Sequence, residues 1–270
     1  MTLPGETDFT NSPMKYLTKG NSYRSPARSA FWFARENPTL VFYAHICMIV
    51  IKASRLGKRG VYTPNRWIQS SLDVIHGMES VGGSFDIRNI RSHAAIQSPC
   101  VFVSNHMSIL ETFVLPCLIR PIRNVTFVVK ESLTTYPFFR HVINSRKPVV
   151  VGRANPRQDL KTVLNDGQDR LESGVSVVIF PQTTRSLGFD AKKFNTLGVK
   201  LAAHNHVPAV PVAVKTDAWG VGPRFKDFGR IDPSKTVHIC FGDPITIEGS
   251  GKKEHKTVVE FIGDNLSSWR

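Results

Sequence analysis

From Ser84 onward the chain alternates short apolar runs with helical stretches, and this alternation limits the possible folds more than any other feature. The runs "SFDIRNI", "PCVFVSN", "NVTFVVK", "KPVVVG", "VSVVIFP", "VPAVPVAVK" and "KTVHICFG" are rich in β-branched residues and read as strands. Helical patterns fall between them: after Ser108, in "YPFFRHVIN", from about Pro156 to Glu172, and from about Gly198 to His204. A last helix runs from about Lys253 to the C-terminus. Strands that are apolar at nearly every position are buried on both faces, so helices must cover both sides of the sheet. The pattern predicts an α/β domain over residues 81–270, with a mixed, mostly parallel sheet flanked by helices. There are no internal repeats.

The segment before it differs in charge and texture. The chain carries a net charge of +14, and between Met14 and Arg66 ten Lys/Arg face one acid, Glu36. Within this stretch "TLVFYAHICMIVI", Thr39 to Ile51, is the most apolar run in the chain. A clean membrane span needs about 20 such residues, and this run is shorter. Its flanks point to an interface: Phe31, Trp32 and Phe33 precede it, and Lys52, Arg55, Lys58 and Arg59 follow. Aromatic and basic flanks are what a helix uses to rest among anionic headgroups. A buried core helix is the alternative. A second helix is predicted at about Asn65 to Met78. Residues 27–80 therefore read as a helical segment set apart from the α/β domain, preceded by a flexible tail, 1–26. The first thirteen residues are polar and lack the apolar core of a signal peptide.

Four cysteines stand singly, without a C-x-x-C pair, which fits neither a disulfide framework nor a zinc site. "GSGKK" lacks the glycine a phosphate loop would need at Thr246. In "HNH" the two histidines His204 and His206 are two apart and splay on a helix, so no metal is expected. Nucleic-acid binding is disfavoured, because the basic residues flank an apolar helix instead of covering an exposed surface.

Three strand ends carry chemistry. In "VSNHMSILETF" His106 precedes a helix and Glu111 lies in its first turn. Two readings stand side by side. Ser108 and Glu111 form the capping pair S-x-x-E. The same carboxylate can also reach one nitrogen of His106 and leave the other as a base. "FPQTTRS" offers Gln182, Thr183, Thr184, Arg185 and Ser186 at a second strand end. "VGRANPR" offers Arg153, Asn155 and Arg157 at a third. Ligands bind at such ends in α/β sheets, and two arginines there imply an anionic substrate.

"NHMSILE", "GRANPR", "FPQTTRS" and "VPAVPV" occur in the order and approximate spacing of the four motifs of the glycerolipid acyltransferase family, which includes the 1-acylglycerol-3-phosphate acyltransferases. The resemblance covers roughly Ser98 to Lys215. It implies that His106 is the general base for a glycerol hydroxyl attacking an acyl thioester, and that Glu111 holds His106. It implies direct acyl transfer, in keeping with the lack of a G-x-S-x-G nucleophile motif. It places Asn105, Arg153, Asn155 and residues 182–186 around the acceptor, with the arginines on its phosphate. It places Pro208, Val210 and Pro211 near the acyl donor, acyl-CoA or acyl-carrier protein. It implies no cofactor beyond that co-substrate, no nucleic acid, and a lysophospholipid acceptor taken from an anionic membrane surface. It implies that residues 27–80 form an N-terminal two-helix membrane-docking module, and that the protein sits at the cytoplasmic face of a bacterial inner membrane, peripheral or monotopic.

The chain departs from the family twice. Glu111 stands where the first motif usually has Asp, and Gln182-Thr183 stands where the third usually has Glu-Gly. Gln cannot carry negative charge, and a β-branched Thr resists positive φ. These changes bear on which lysolipid is accepted. They also keep open a non-catalytic relative that binds membranes as a lipid adaptor.

Overall fold

A computed structural model of the chain describes residues 17–27, 30–182, 184–222 and 227–269. Among the described residues eight strands form one sheet in the order β1-β2-β8-β7-β3-β6-β4-β5. They are β1 (Tyr23–Arg24), β2 (Ser84–Arg88), β3 (Val101–Ser104), β4 (Val125–Lys130), β5 (Val149–Val151), β6 (Ser176–Ile179), β7 (Ala209–Lys215) and β8 (Thr236–Phe241). All seven predicted strands are present. The pairs β3–β7, β3–β6, β4–β6, β4–β5 and β2–β8 are parallel, whereas β1–β2 and β7–β8 are antiparallel.

The apolar runs divide by the period of two. Phe102, Val178, Val210, Val212 and Val214 face one core, and Val101, Val103, Val177, Ile179, Ala209 and Ala213 face the other. The first core is covered by α2 (Pro38–Lys58), α3 (Pro64–Ser80) and α4 (Leu110–Ile119). The second is covered by α7 (Pro156–Glu172), α8 (Leu197–His204) and α9 (Lys252–Ser268). Gly198 opens α8, and a methyl group there would meet Val103 and Ile179 at 2.8 Å, so this helix needs glycine to lie on the sheet.

Short helices complete the chain: α1 (Trp32–Glu36), α5 (Glu131–Thr135) and α6 (Arg140–Asn144). The single helix expected over "YPFFRHVIN" is instead a turn followed by α6. Tyr136 is extended ahead of a proline, which disfavours helix at that position.

The tail assignment is corrected in part. Residues 1–16 lie outside the described residues, but residues 17–24 are folded. Leu17–Lys19 form a 3-10 turn, and β1 joins the sheet edge. Tyr23 and Ser25 both donate to Glu79 at 2.6 Å, which pins this segment to α3. Two residues of strand carry too little pattern to be read from sequence.

Helix α2 is 21 residues long, well beyond its thirteen-residue apolar run, because the basic tail Lys52 to Lys58 continues it. It is long and apolar enough by length and composition to cross a membrane. Its Phe42, Ile46, Val50 and Ala53 are buried in the protein, however. Leu40, Ala44, Cys47, Met48, Ile51, Lys52, Arg55, Lys58 and Arg59 form the exposed face. Phe42 meets Trp219 edge-on at 5.1 Å, and Trp219 stacks on Phe113 of α4 at 6.0 Å. The Trp219 indole donates to Tyr43 Oη at 2.9 Å. The N-terminal helices thus share a core with the sheet.

Helix α4 contains Pro116 and is repaired by a neighbour. Ser71 Oγ of α3 accepts from Cys117 N–H at 3.0 Å and donates to the Phe113 carbonyl at 2.5 Å. The hydroxyl therefore bridges two backbone groups beside the proline.

Candidate active site

Strands β3, β4, β5, β6 and β7 run parallel, so their carboxyl ends share one edge. His106 follows β3, Arg153 follows β5, and Phe180 to Ser186 follow β6.

Glu111 is fully buried in the first turn of α4. Its Oε1 lies 2.8 Å from His106 Nδ1 and accepts from Met107 N–H at 2.7 Å and Ser108 N–H at 3.0 Å. Its Oε2 accepts from Thr216 Oγ1 at 2.6 Å and Ser108 Oγ at 3.1 Å. Both sequence readings are therefore realised by one carboxylate. The capping pair is displaced: Ser108 Oγ accepts from Leu110 N–H at 3.1 Å, while Ile109 is the residue that flanks the helix. Burial opposes charge on Glu111. The hydrogen bonds and charge of His106, with the Thr216 hydroxyl, outweigh it and hold the carboxyl below its ordinary value.

With Nδ1 donating to Glu111, the His106 ring is the tautomer whose Nε2 lone pair is available. The ring stacks on Phe180 at 4.4 Å and remains 13% exposed, open enough for one reacting group. Its backbone is clamped on both sides. His106 N–H donates to Gln182 Oε1 at 2.5 Å, and the His106 carbonyl accepts from Ser186 N–H at 3.0 Å.

These bonds revise several sequence expectations. Gln182 is buried and serves the histidine loop, so its place is behind His106 instead of beside a substrate. Asn105 is also buried: its amide donates to the Val214 carbonyl and accepts from Val214 N–H, both at 2.8 Å. It joins the β3 and β7 ends, so its amide is committed to the backbone. Asn155 caps α7, accepting from Arg157 and Gln158 N–H. Pro208, Val210 and Pro211 are corrected as an acyl-donor region. Val210 is fully buried in the core, Pro211 is buried in β7, and Pro208 stands at the amino end of β7, the edge away from His106. Thr184 and Ser186 are exposed, while Thr183 lies outside the described residues.

The arginines occupy a different environment. Gly152 and Arg153 N–H both donate to Asp159 Oδ1, at 3.1 and 3.2 Å, in a turn where Arg153 has φ of 62°. A non-glycine residue there is held in a left-handed conformation by those bonds. Partial desolvation lowers the Arg153 guanidinium pKa, the Asp159 carboxylate opposes this, and the charge of Arg185 lowers it further. The two cations are thus close enough to sense each other, although they leave different strands. Arg185 forms an ion pair with Asp227.

Three functional neighbours escaped the sequence reading. Thr216 is the first polar residue after β7, at the edge where ligands bind, and that position was its signal. Asp159 sits in the first turn of α7, where an acid reads as a helix-end charge. Asp227 carries no local signal. Among the described residues no group of three or more His, Cys, Asp or Glu is placed to hold a metal.

Residues 84–215 match the family model described as Acyltransferase. The match covers just under half of the 270-residue chain, and over that region the chain is similar to acyltransferases. It is 30% identical over 157 residues to the 1-acyl-sn-glycerol-3-phosphate acyltransferase of Pseudomonas aeruginosa, covering 58% of each chain. It is 26% identical over 228 residues to the enzyme of that name from Saccharomyces cerevisiae, covering 83% of this chain and 71% of the yeast protein. The matched region thus spans little more than half of the Pseudomonas relative's length. The crystal structure of the LPA acyltransferase PlsC from Thermotoga maritima superposes with a TM-score of 0.60 at 18% identity, over 87% of this chain and 96% of that one. At this identity the agreement concerns the fold.

Proposed function

We propose that this protein is a glycerolipid acyltransferase that moves a fatty acyl group from a thioester, acyl-CoA or acyl-carrier protein, to the free hydroxyl of 1-acylglycerol-3-phosphate. The observation that carries the reading is the pairing of His106 Nδ1 with a buried, multiply bonded Glu111 at the sheet edge that also holds Arg153 and Arg185.

The chemistry follows from those groups. His106 Nε2 accepts the acceptor's hydroxyl proton as its oxygen attacks the thioester carbon. The C–S bond breaks, and the thiolate leaves with the proton returned by the imidazolium. Glu111 remains ionised and stabilises that imidazolium. No acyl-enzyme forms and no cofactor is required, because the thioester is already activated. Arg153 and Arg185 bind the acceptor phosphate. Arg185 then exchanges Asp227 for phosphate, a swap between two anions that a partly exposed arginine makes readily. The alteration at Gln182 is compatible with this chemistry, since its role toward His106 N–H needs an acceptor oxygen and not a charge.

The acceptor is an amphiphile in a bilayer, so the enzyme must reach it there. Phe31, Trp32 and Phe33 are exposed, as are Lys52, Arg55, Lys58 and Arg59 at the far end of α2. Because the other face of α2 is fixed to the protein core, the reading is a peripheral or monotopic enzyme on an anionic surface.

The test is thiol release from acyl-CoA with a panel of lysolipid acceptors. Turnover that requires 1-acylglycerol-3-phosphate and disappears in His106→Ala is expected. Vesicle binding without turnover for any donor or acceptor would favour the lipid-adaptor reading instead.

A further inference from the structure

A group of exposed large apolar side chains lies on α5 and in the turn between α5 and α6. Leu133, Tyr136 and Phe138 are 38%, 44% and 57% exposed. The same segment's Phe139 turns inward and packs on Phe113 at 6.0 Å, so the turn is anchored while its neighbours face out. Tyr136 and Phe138 lie 6.5 Å apart, ring to ring, and form one patch. Large apolar side chains grouped at a surface mark a contact with a partner or a membrane.

Three observations select the membrane. First, the patch leaves the carboxyl end of β4, so it shares the edge that carries His106 and Arg153. Second, it adjoins the basic end of α2. Gly57 lies against the His141 backbone, where a methyl group would come within 3.0 Å, and Lys58 and Arg59 follow directly. Third, exposed Lys130 and Arg140 bracket the segment, with Glu131 the one acid between them. Aromatic side chains ringed by cations match an anionic bilayer surface.

We propose that the α5–α6 turn is a second membrane foothold, inserting Leu133, Tyr136 and Phe138 beside the basic end of α2 so that the edge bearing His106 faces an anionic bilayer. The inference rests on the membrane reading above and extends it from the N-terminal helices to the α/β domain itself. Its occupant is lipid and not a protein partner.

The experiment uses the full chain and two vesicle types, phosphatidylcholine alone and phosphatidylcholine with phosphatidylglycerol. Wild type is expected to co-sediment with the anionic vesicles. The triple variant L133S/Y136S/F138S is expected to bind them at least tenfold more weakly, with an unchanged circular dichroism spectrum. Its turnover of a short-chain acceptor dissolved as monomer should match wild type. Equal vesicle binding by the triple variant would overturn the proposal, as would no binding by wild type.

Direct placement comes from Phe138→Cys in a Cys47→Ser background, labelled with a fluorescent thiol reagent. Cys47 is the exposed cysteine, and Cys100, Cys117 and Cys240 are buried, so one site labels. Vesicles carrying nitroxide lipid should quench the probe, and vesicles should shield it from iodide. Iodide access unchanged by lipid would mean that the patch faces water or another protein, and the proposal would fall. Failure of acyl transfer with vesicle insertion intact would overturn the proposed reaction and leave the foothold standing.

Discussion

The first-motif loop and the arginine loops stand at the same sheet edge but are built on opposite principles. Around His106 every polar group that the loop presents inward is matched: Glu111 gathers two backbone N–H groups, two hydroxyls and the imidazole. The arginines sit near the surface on turns, and Arg185 is paired to a half-exposed carboxylate. On the proposed reading His106 is a general base that must be in place before the substrate arrives, and a buried network would hold it without reorganisation. On the same reading the arginines are a phosphate site that must open to admit and release its anion, and exchangeable ion pairs would permit that.

If the difference is real, changes at the two places should fail in different ways. The largest effect is expected for His106→Ala, with kcat/KM reduced about a thousandfold, as loss of a general base implies, and the melting temperature nearly unchanged. Glu111→Ala should lose turnover by about a hundredfold and also lose stability. It leaves buried N–H and hydroxyl groups unmatched, each costing about 1–3 kcal/mol, which thermal unfolding would register. Thr216→Val should give a milder version of both, and Thr216→Ser should restore them. Arg153→Ala and Arg185→Ala should raise KM for the phosphorylated acceptor about tenfold or more, with the melting temperature unmoved. If those variants lowered kcat alone, the division between the loops would be wrong.

Burial also sets a pH dependence. His93 is fully buried, and desolvation, together with the charges of Arg123 and Arg91, pushes it down to about 3. The unfolded chain binds that proton near 6.5, the folded chain only near 3. The stability tied to neutral His93 is therefore complete above about 6.5 and declines as pH falls, by about 1.4 kcal/mol per pH unit. Glu111, held below its ordinary value, adds a second loss of the same sign below about 4.5. Urea midpoints from pH 8 to 4 should show the first decline, and His93→Gln should flatten it. The smallest effect belongs to the exposed pair: Asp227→Asn should lower KM for the acceptor two- to threefold by freeing Arg185.

The sequence disclosed more of the frame than of the site. Seven strands were legible because β-branched residues run unbroken between turns. The His106–Glu111 contact was legible because it spans one helix start. Thr216 and Asp227 act from distant segments, and such pairings leave no periodicity to read, whereas Asp159 is only six residues from Arg153 but reads as a helix-end charge. Asn105, Asn155 and Gln182 erred in the opposite direction. A polar residue in a strand-end motif looks like a ligand, yet an amide can equally serve the backbone, and here all three do. Pro208, Val210 and Pro211 likewise belong to the sheet that supports the site. The apolar run of α2 was read as too short to span because its basic tail was counted as flank, whereas the helix continues through it.

Trp219 has a consequence for how the molecule meets a surface. Phe42 of α2 presses on its edge, Phe113 of α4 lies flat against its face, and its own N–H is tied to Tyr43. One indole therefore serves as a keystone between the helix that would rest on lipid and the helix that carries Glu111. The ring thus couples the two helices through direct contacts. If the protein docks on a bilayer as proposed, the orientation of α2 there would also set the orientation of its histidine.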